Sequence, residues 1–458
     1  MLLQIGGTMR QLLGLVLCTL VTQPAFAEIT GRFSFERLEP DVWRAKYCFD
    51  EPVDAVRFER PIEGMRQSHW RTLLPEFELI HSPDGSAHIQ HRDGVVFKCT
   101  GVEIDSYTEV PVKNYMAFSK FSDGGMSVYM GYYTGTVFKD DEWQGYTVSA
   151  TYRGMEGERI ITRDPGALDH QFVYFGRQKV VETPEAITVV DPAMPELARR
   201  GIEHSLPKAG RLLAEVFNYT PSEPYQVFMA AGELASRDGS HTKGGTLKNQ
   251  ILFTLKGRRI VEQAVSTSDF YPTLAAHELL HLWQREVWHE QLGNDAPWMH
   301  EGAADALAFE LMYRTGVATR DQYETQWQKA ESQCADFIRE TSVARAPGEG
   351  KFKVVYRCGA LVNRLVVEAL SPESPGDGIF RFWQAMAAWD EKTIRQTPSV
   401  SLFKMTMEKL GFDTQQIIAL GRFTGEQHAD GQASIDSFRK ILKSRGAVQA
   451  PGTGLPAP

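Results

Sequence analysis

The spacing of apolar positions divides the chain into two unlike halves. From Glu28 to about Val190, apolar residues recur at every second position in short runs. Arg32-Phe33-Ser34-Phe35-Glu36 alternates strictly. Tyr146 to Tyr152 puts Tyr146, Val148, Ala150 and Tyr152 on one face, and Ser127 to Tyr133 has the composition of a strand. Pro83-Asp84-Gly85 and Ser122-Asp123-Gly124-Gly125 are turn sequences between such runs. Period two with frequent turns predicts a β-sandwich-like domain over residues 28–190. Of its histidines, His69, His81, His88 and His91 are scattered and form no ligand pattern.

Beyond Pro192 the period lengthens. A helix is predicted over Leu197 to Phe217, then strands over Tyr225 to Ala230 and Asn249 to Leu255. Helices are predicted over Leu274 to Trp288, Glu301 to Arg314, Gln322 to Glu340 and Ala360 to Leu370. Strands followed by helices make an α+β domain over residues 191–446. Residues 447–458 are rich in Pro, Gly and Ala and predict a disordered tail.

The N-terminus changes the picture of where the protein works. Arg10 precedes a ten-residue apolar run, Leu12 to Val21, and Ala25-Phe26-Ala27 is an A-x-A cleavage site. Residues 1–27 therefore predict a signal peptide and export, to the periplasm or beyond the cell. Ten apolar residues cannot cross a hydrocarbon core that needs about twenty, so no stable membrane insertion is expected after cleavage. Leu17 stands where a lipoprotein signal has a small residue, which argues against lipidation of Cys18.

Composition narrows the partners. The chain is 42% apolar and 23% charged, which excludes wholesale disorder. Its net charge of -9 excludes nucleic acid as a partner, because phosphate binding needs a basic excess. Cys48, Cys99, Cys334 and Cys358 remain after cleavage, and proximity favours disulfides Cys48–Cys99 and Cys334–Cys358. Each would contribute roughly 3–4 kcal/mol by restricting the unfolded chain.

The chemistry is concentrated between His277 and Glu301. His277-Glu278-Leu279-Leu280-His281 is H-E-x-x-H within a helical pattern. Positions i and i+4 share a helix face, with Cβ atoms roughly 5–6 Å apart. Two imidazoles so placed can converge on one Zn²⁺, with Glu278 leaning over the open position as general base. Four of the chain's 12 histidines lie between His277 and His300. The flanks are apolar, and a core helix rarely carries such groups unless they are paired or metal-bound. A catalytic zinc needs a third protein ligand. Glu301, in Trp298-Met299-His300-Glu301-Gly302, is the leading candidate; His300 and Asp305 are rivals. Asp305, one turn on, is otherwise suited to orient a ligand imidazole.

Together, His277 to Trp283, Trp298 to Gly302, and Tyr356 with Gly359-Ala360 resemble the gluzincin metallopeptidases, especially the M1 aminopeptidase family. That family carries H-E-x-x-H-x-W, W-x-x-E-G and Y-x-x-G-A in this order. The resemblance implies a thermolysin-like, mainly helical zinc-peptidase domain and one zinc per chain. It implies His277, His281 and Glu301 as ligands, Glu278 as base, and Tyr356 as the hydroxyl facing the oxyanion. It implies a peptide or protein substrate.

The departures are specific. Nineteen residues separate His281 from Glu301, where the family usually has eighteen. His300 replaces an Asn, and Arg357-Cys358 replaces Glu-Lys. The family's G-x-M-E-N strand matches Gly245-Thr246-Leu247-Lys248-Asn249, so Gly245 would line the substrate and Lys248 replaces the glutamate that holds the free α-amine. A cation there would repel an ammonium group by about 4 kcal/mol at 4 Å and an effective dielectric near 20. A strict aminopeptidase is therefore disfavoured. About a hundred residues follow Tyr356, too few for the family's helical-repeat domain. Two other readings share the site: a zinc hydrolase of another amide or ester, and a zinc-bearing or inactive envelope protein that binds a partner. A pure binding module has no use for Glu278.

Overall fold

A computed structural model describes residues 28–444, apart from 63, 110–113, 236–237, 261–269 and 289–294. The expected signal, the expected tail and most of the loop between His289 and Pro297 lie outside the described residues.

The N-terminal part is β-rich, and among the described residues its strands form three sheets. The first is built on the antiparallel pair Ile29–Glu39 and Val42–Val53, with Tyr146–Arg153 alongside in parallel. The second is built on Ala55–Phe58 and Gly135–Lys139, and the third on Met126–Tyr129 and Phe172–Gly176. The alternation in the first strand turns Phe33 and Phe35 inward. Phe35 lies 4.8 Å from Tyr133, 5.3 Å from Trp43 and 6.0 Å from Phe175, ring centre to ring centre. Phe58 of the second sheet lies 5.9 Å from Tyr47 of the first, so three sheets share one core. Period two identifies the buried face of each strand but not its neighbour, so the number of sheets was not legible. The run from Ser127 stops being a strand at Tyr129, and Met130–Tyr132 is a 3₁₀ turn.

The second sheet system carries the site. Its strand order is Val180–Glu182, Ala186–Val190, Tyr225–Glu233, Gln250–Lys256, His241–Leu247. Two of these strands precede residue 191, so the boundary expected there falls inside a sheet. Ala186–Val190 pairs in parallel with Tyr225–Glu233, and its local pattern could not say which sheet it joins.

One face of this sheet packs on the N-terminal domain through Phe228, Ala230, Leu247 and Leu252. The other face, with Val227, Met229, Ile251 and Phe253, packs on helices. Polar groups join the domains as well. Gln250 bonds both the N–H and the carbonyl of Phe172, at 2.7 and 2.8 Å. Asp191 accepts the N–H groups of Ser122, Ala193 and Ala231, each at 2.8 Å.

Helices Glu196–Phe217, Phe270–Val287, Pro297–Arg314, Arg320–Phe337 and Phe352–Leu370 cover the outer face, and further helices continue to Lys443. Pro297 starts its helix, where its missing N–H costs nothing. Glu301 therefore lies just beyond the first turn and not at the helix start. Tyr356, expected ahead of a helix, lies within Phe352–Leu370. Among the described residues, no helix is long and apolar enough to cross a membrane. Both expected disulfides are present: Cys48–Cys99 at opposed strand positions, and Cys334–Cys358 between two helices.

Candidate metal centre and active site

The helix Phe270–Val287 buries Leu279, Leu280, Leu282 and Trp283 against the core and carries the H-E-x-x-H residues on its remaining face. The helix Pro297–Arg314 runs antiparallel to it. His277 meets Glu301 and Asp305, while Gln284, two turns further, meets the carbonyl of His300.

Three ligand atoms converge. His277 Nε2 lies 3.1 Å from His281 Nε2 and 3.2 Å from Glu301 Oε2, and the His281–Glu301 distance is 3.3 Å. Bonds of about 2.0–2.1 Å to a tetrahedral zinc place ligand atoms about 3.3–3.4 Å apart. The triangle therefore has the size that zinc requires, and its two N and one O donors are a zinc set. Asp305 and His300 take other positions. Asp305 Oδ1 bonds the far nitrogen of His277, Nδ1, at 2.9 Å. The His300 ring stacks on His281, with centroids 4.4 Å apart.

The surrounding groups hold the ligands. Arg357 Nη1 donates to Asp305 Oδ2 at 3.3 Å, which gives a role to one departure from the family pattern. Gln284 Oε1 lies 2.6 Å from His281 Nδ1, and Gln284 Nε2 donates to the His300 carbonyl. Gln284 was not read from the sequence; its i+3 spacing from His281 was the available signal.

The electrostatics follow from this packing. Burial works against a charged His277, but Asp305 and Glu301 outweigh it and raise its pKa well above the usual value. Burial likewise opposes the Glu301 carboxylate, yet His281 and His277 hold its pKa well below the usual range. His300 is pushed down to about 3 by burial and then by His281.

Two glycines bring Tyr356 to the site. A Cβ on Gly302 would lie 2.3 Å from the Gly359 carbonyl carbon, and one on Gly359 would lie 2.1 Å from the Trp298 oxygen. The two helices touch backbone to backbone there, which explains the glycine in both motifs. Tyr356 faces the group, its ring 5.8 Å from that of His277. Burial raises its hydroxyl pKa, and Glu301 and Glu278 raise it further.

The edge strand His241–Leu247 approaches Glu278 from the other side; the resemblance implied a strand over Gly245 to Asn249, and the strand found starts and ends earlier. Thr246 Oγ1 lies 2.8 Å from Glu278 Oε2. A Cβ on Gly244 would lie 2.1 Å from Glu278 Oε1. Gly245 is on the opposite face, against Tyr115 and Phe172 of the N-terminal domain. Lys248 lies past the strand end, exposed on the two-residue turn that Asn249 closes with φ 52°. The structure thus sets Gly244 and Thr246 beside Glu278 and Gly245 on the opposite face, while Lys248 lies beyond the strand. A shift of one position along a strand exchanges its faces.

No protein-family model and no curated protein matches this chain. Among solved structures it is similar to leukotriene A4 hydrolase from Saccharomyces cerevisiae, at 10% identity and TM-score 0.52, over 88% of this chain and 68% of that one. It is also similar to an M1 zinc metallopeptidase from Deinococcus radiodurans, at 13% identity and TM-score 0.47, over 94% and 96%. A two-domain M1 zinc metallopeptidase variant bound to L-tryptophan matches at 12% identity and TM-score 0.48, over 93% and 95%. The likeness is one of fold, and the fold is the M1 aminopeptidase-like gluzincin fold.

Proposed function

We propose that this chain is an exported, zinc-dependent peptidase with Glu278 as general base. The observation that carries this reading is the triangle of His277, His281 and Glu301, with Glu278 adjacent on the same helix. Export is supported by the signal-like N-terminus and the two disulfides.

His277, His281 and Glu301 would hold one zinc, with Asp305 and Gln284 fixing the two imidazoles. When bound, zinc supplies Lewis-acid polarisation of a carbonyl and lowers the pKa of water towards 7. Glu278 takes the proton of the attacking water and returns it to the leaving nitrogen. Thr246 keeps that carboxylate in place. The Tyr356 hydroxyl, held neutral, donates towards the oxygen that becomes negative.

A strict aminopeptidase remains disfavoured, on ground other than Lys248. The edge strand His241–Leu247 contains no acidic residue that could hold an α-ammonium group beside Glu278.

The test is zinc stoichiometry and peptide cleavage on the mature chain. About one zinc per chain, lost in Glu301→Ala, and cleavage lost with zinc retained in Glu278→Gln are the expected results. Full activity in Glu278→Gln, or no zinc in wild type, sinks the reading.

A further inference from the structure

The chain's net charge is -9, yet a tyrosine that reaches the edge strand beside Glu278 carries an arginine on its ring. That tyrosine is Tyr115, from the N-terminal domain. The Tyr115 hydroxyl donates to the Thr246 carbonyl at 2.8 Å, and Thr246 in turn bonds Glu278. Tyr115 is thus one residue removed from the proposed general base.

Two arginines flank this tyrosine. Arg60 lies over the faces of Tyr115 and Tyr129, 5.3 and 5.2 Å from the ring centres. Its Nε donates to Asn114 Oδ1 and its Nη1 to the Tyr129 hydroxyl, at 3.3 and 2.8 Å. Both partners are neutral. Among the described residues no carboxylate pairs with Arg60, and its Nη2 has no protein acceptor, although the side chain is half-buried. Arg285 comes from the other wall. It lies one helical turn beyond His281, on the same helix face. Its charge acts on the hydroxyls of both Tyr115 and Tyr129. His170, whose Nδ1 lies 2.8 Å from the Tyr129 hydroxyl, is exposed between them and feels both arginines.

A guanidinium stacked on two rings, with Nη2 free of protein partners among the described residues, is built to donate N–H bonds to an anion. We infer that Arg60 and Arg285 form a subsite for a carboxylate of the bound peptide, from an acidic side chain or from its C-terminus. A peptide reaching Glu278 along the edge strand passes Tyr115 and so comes beside the guanidinium stacked on it. Cationic peptides are disfavoured at the same place by like charge. This deepens the peptidase reading and rests on it.

The test uses the zinc-loaded mature chain carrying Glu278→Gln, which binds without turnover. Two pairs of twins are titrated by calorimetry: tetra-alanine as free acid and as amide, and a blocked alanine peptide containing one Glu or one Gln. In the pair that supplies the carboxylate, the acid binds about tenfold or more tighter than its neutral twin. That gap shrinks from about 0.05 M to about 0.5 M salt, since exposed charges are screened. Adding Arg60→Gln closes the gap, and so does Arg285→Gln, which guards against a folding defect at Arg60. Equal binding of both pairs of twins overturns the subsite, as does a gap unchanged in both arginine variants. Cleavage of the same peptides by wild type is scored separately. A binding gap without cleavage overturns the peptidase reading and leaves the subsite; cleavage without a gap does the reverse.

Discussion

The Thr246 hydroxyl lies 2.8 Å from the carboxylate of Glu278 and 2.9 Å from the main-chain oxygen of the same residue. It has one proton for two acceptors, so the two oxygens share it. The contact joins an edge strand to the motif helix at the proposed general base. Thr246→Val is expected to lower kcat about tenfold, the worth of one hydrogen bond to a charged group, with zinc content unchanged. Thr246→Ser should restore it. Equal kcat in the valine variant would show that the hydroxyl does not hold the base.

Gly244 is the second constraint on Glu278. A side chain there would meet Oε1 at 2.1 Å, and the flexible carboxylate would swing aside. Gly244→Ala is expected to reduce kcat roughly a hundredfold, the cost of about 1 Å of misplacement. Zinc content and melting temperature should stay at the wild-type values. A fully active alanine variant would mean that Glu278 acts from another position.

Asp305 acts on the site through His277. It bonds Nδ1 and leaves Nε2 for the metal, and Arg357 anchors it from behind. Asp305→Ala should weaken zinc binding about 10- to 100-fold, measured by competition with a chelator. Unchanged affinity would reduce Asp305 to a packing residue.

Tyr356 tests the oxyanion role. Burial, then Glu301 and Glu278, raise its hydroxyl above its usual pKa of 10.0. A raised pKa keeps the phenol neutral and able to donate as pH climbs through 10.0. Tyr356→Phe should cut kcat about 10²- to 10³-fold while zinc stays bound. The wild-type rate should show no alkaline limb near pH 10.0 that disappears in the phenylalanine variant.

Much of the centre was legible because it is local. The separation of His277 from His281 sets both imidazoles on one helix face without reference to anything else. Trp298 to Gly302 and Tyr356 to Ala360 read as two more motifs, and the approach of Gly302 to Gly359 explains why each contains a glycine. The edge strand was not legible in the hydrophobic pattern. His241–Leu247 reads HTKGGTL, polar and glycine-rich, with no apolar alternation. Its placement comes from pairing with Gln250–Lys256. Anchoring the family pattern on Asn249 therefore chose Gly245, one position out of step with the face that meets Glu278, and Lys248, which lies past the strand end.

By itself, the sequence determined the helix that carries two imidazoles and a carboxylate, the order of its partner motifs, and the two cysteine pairs. Those features depend on periodicity and proximity along the chain, which a sequence states directly. Only the tertiary structure decided that Gly244 and Thr246 brace Glu278, that Ala186–Val190 belongs to the second sheet, and that Arg60 stacks on Tyr115 beside the edge strand. Those relationships close long stretches of chain, and they are set by which surfaces bury one another when both domains pack on the two faces of one sheet.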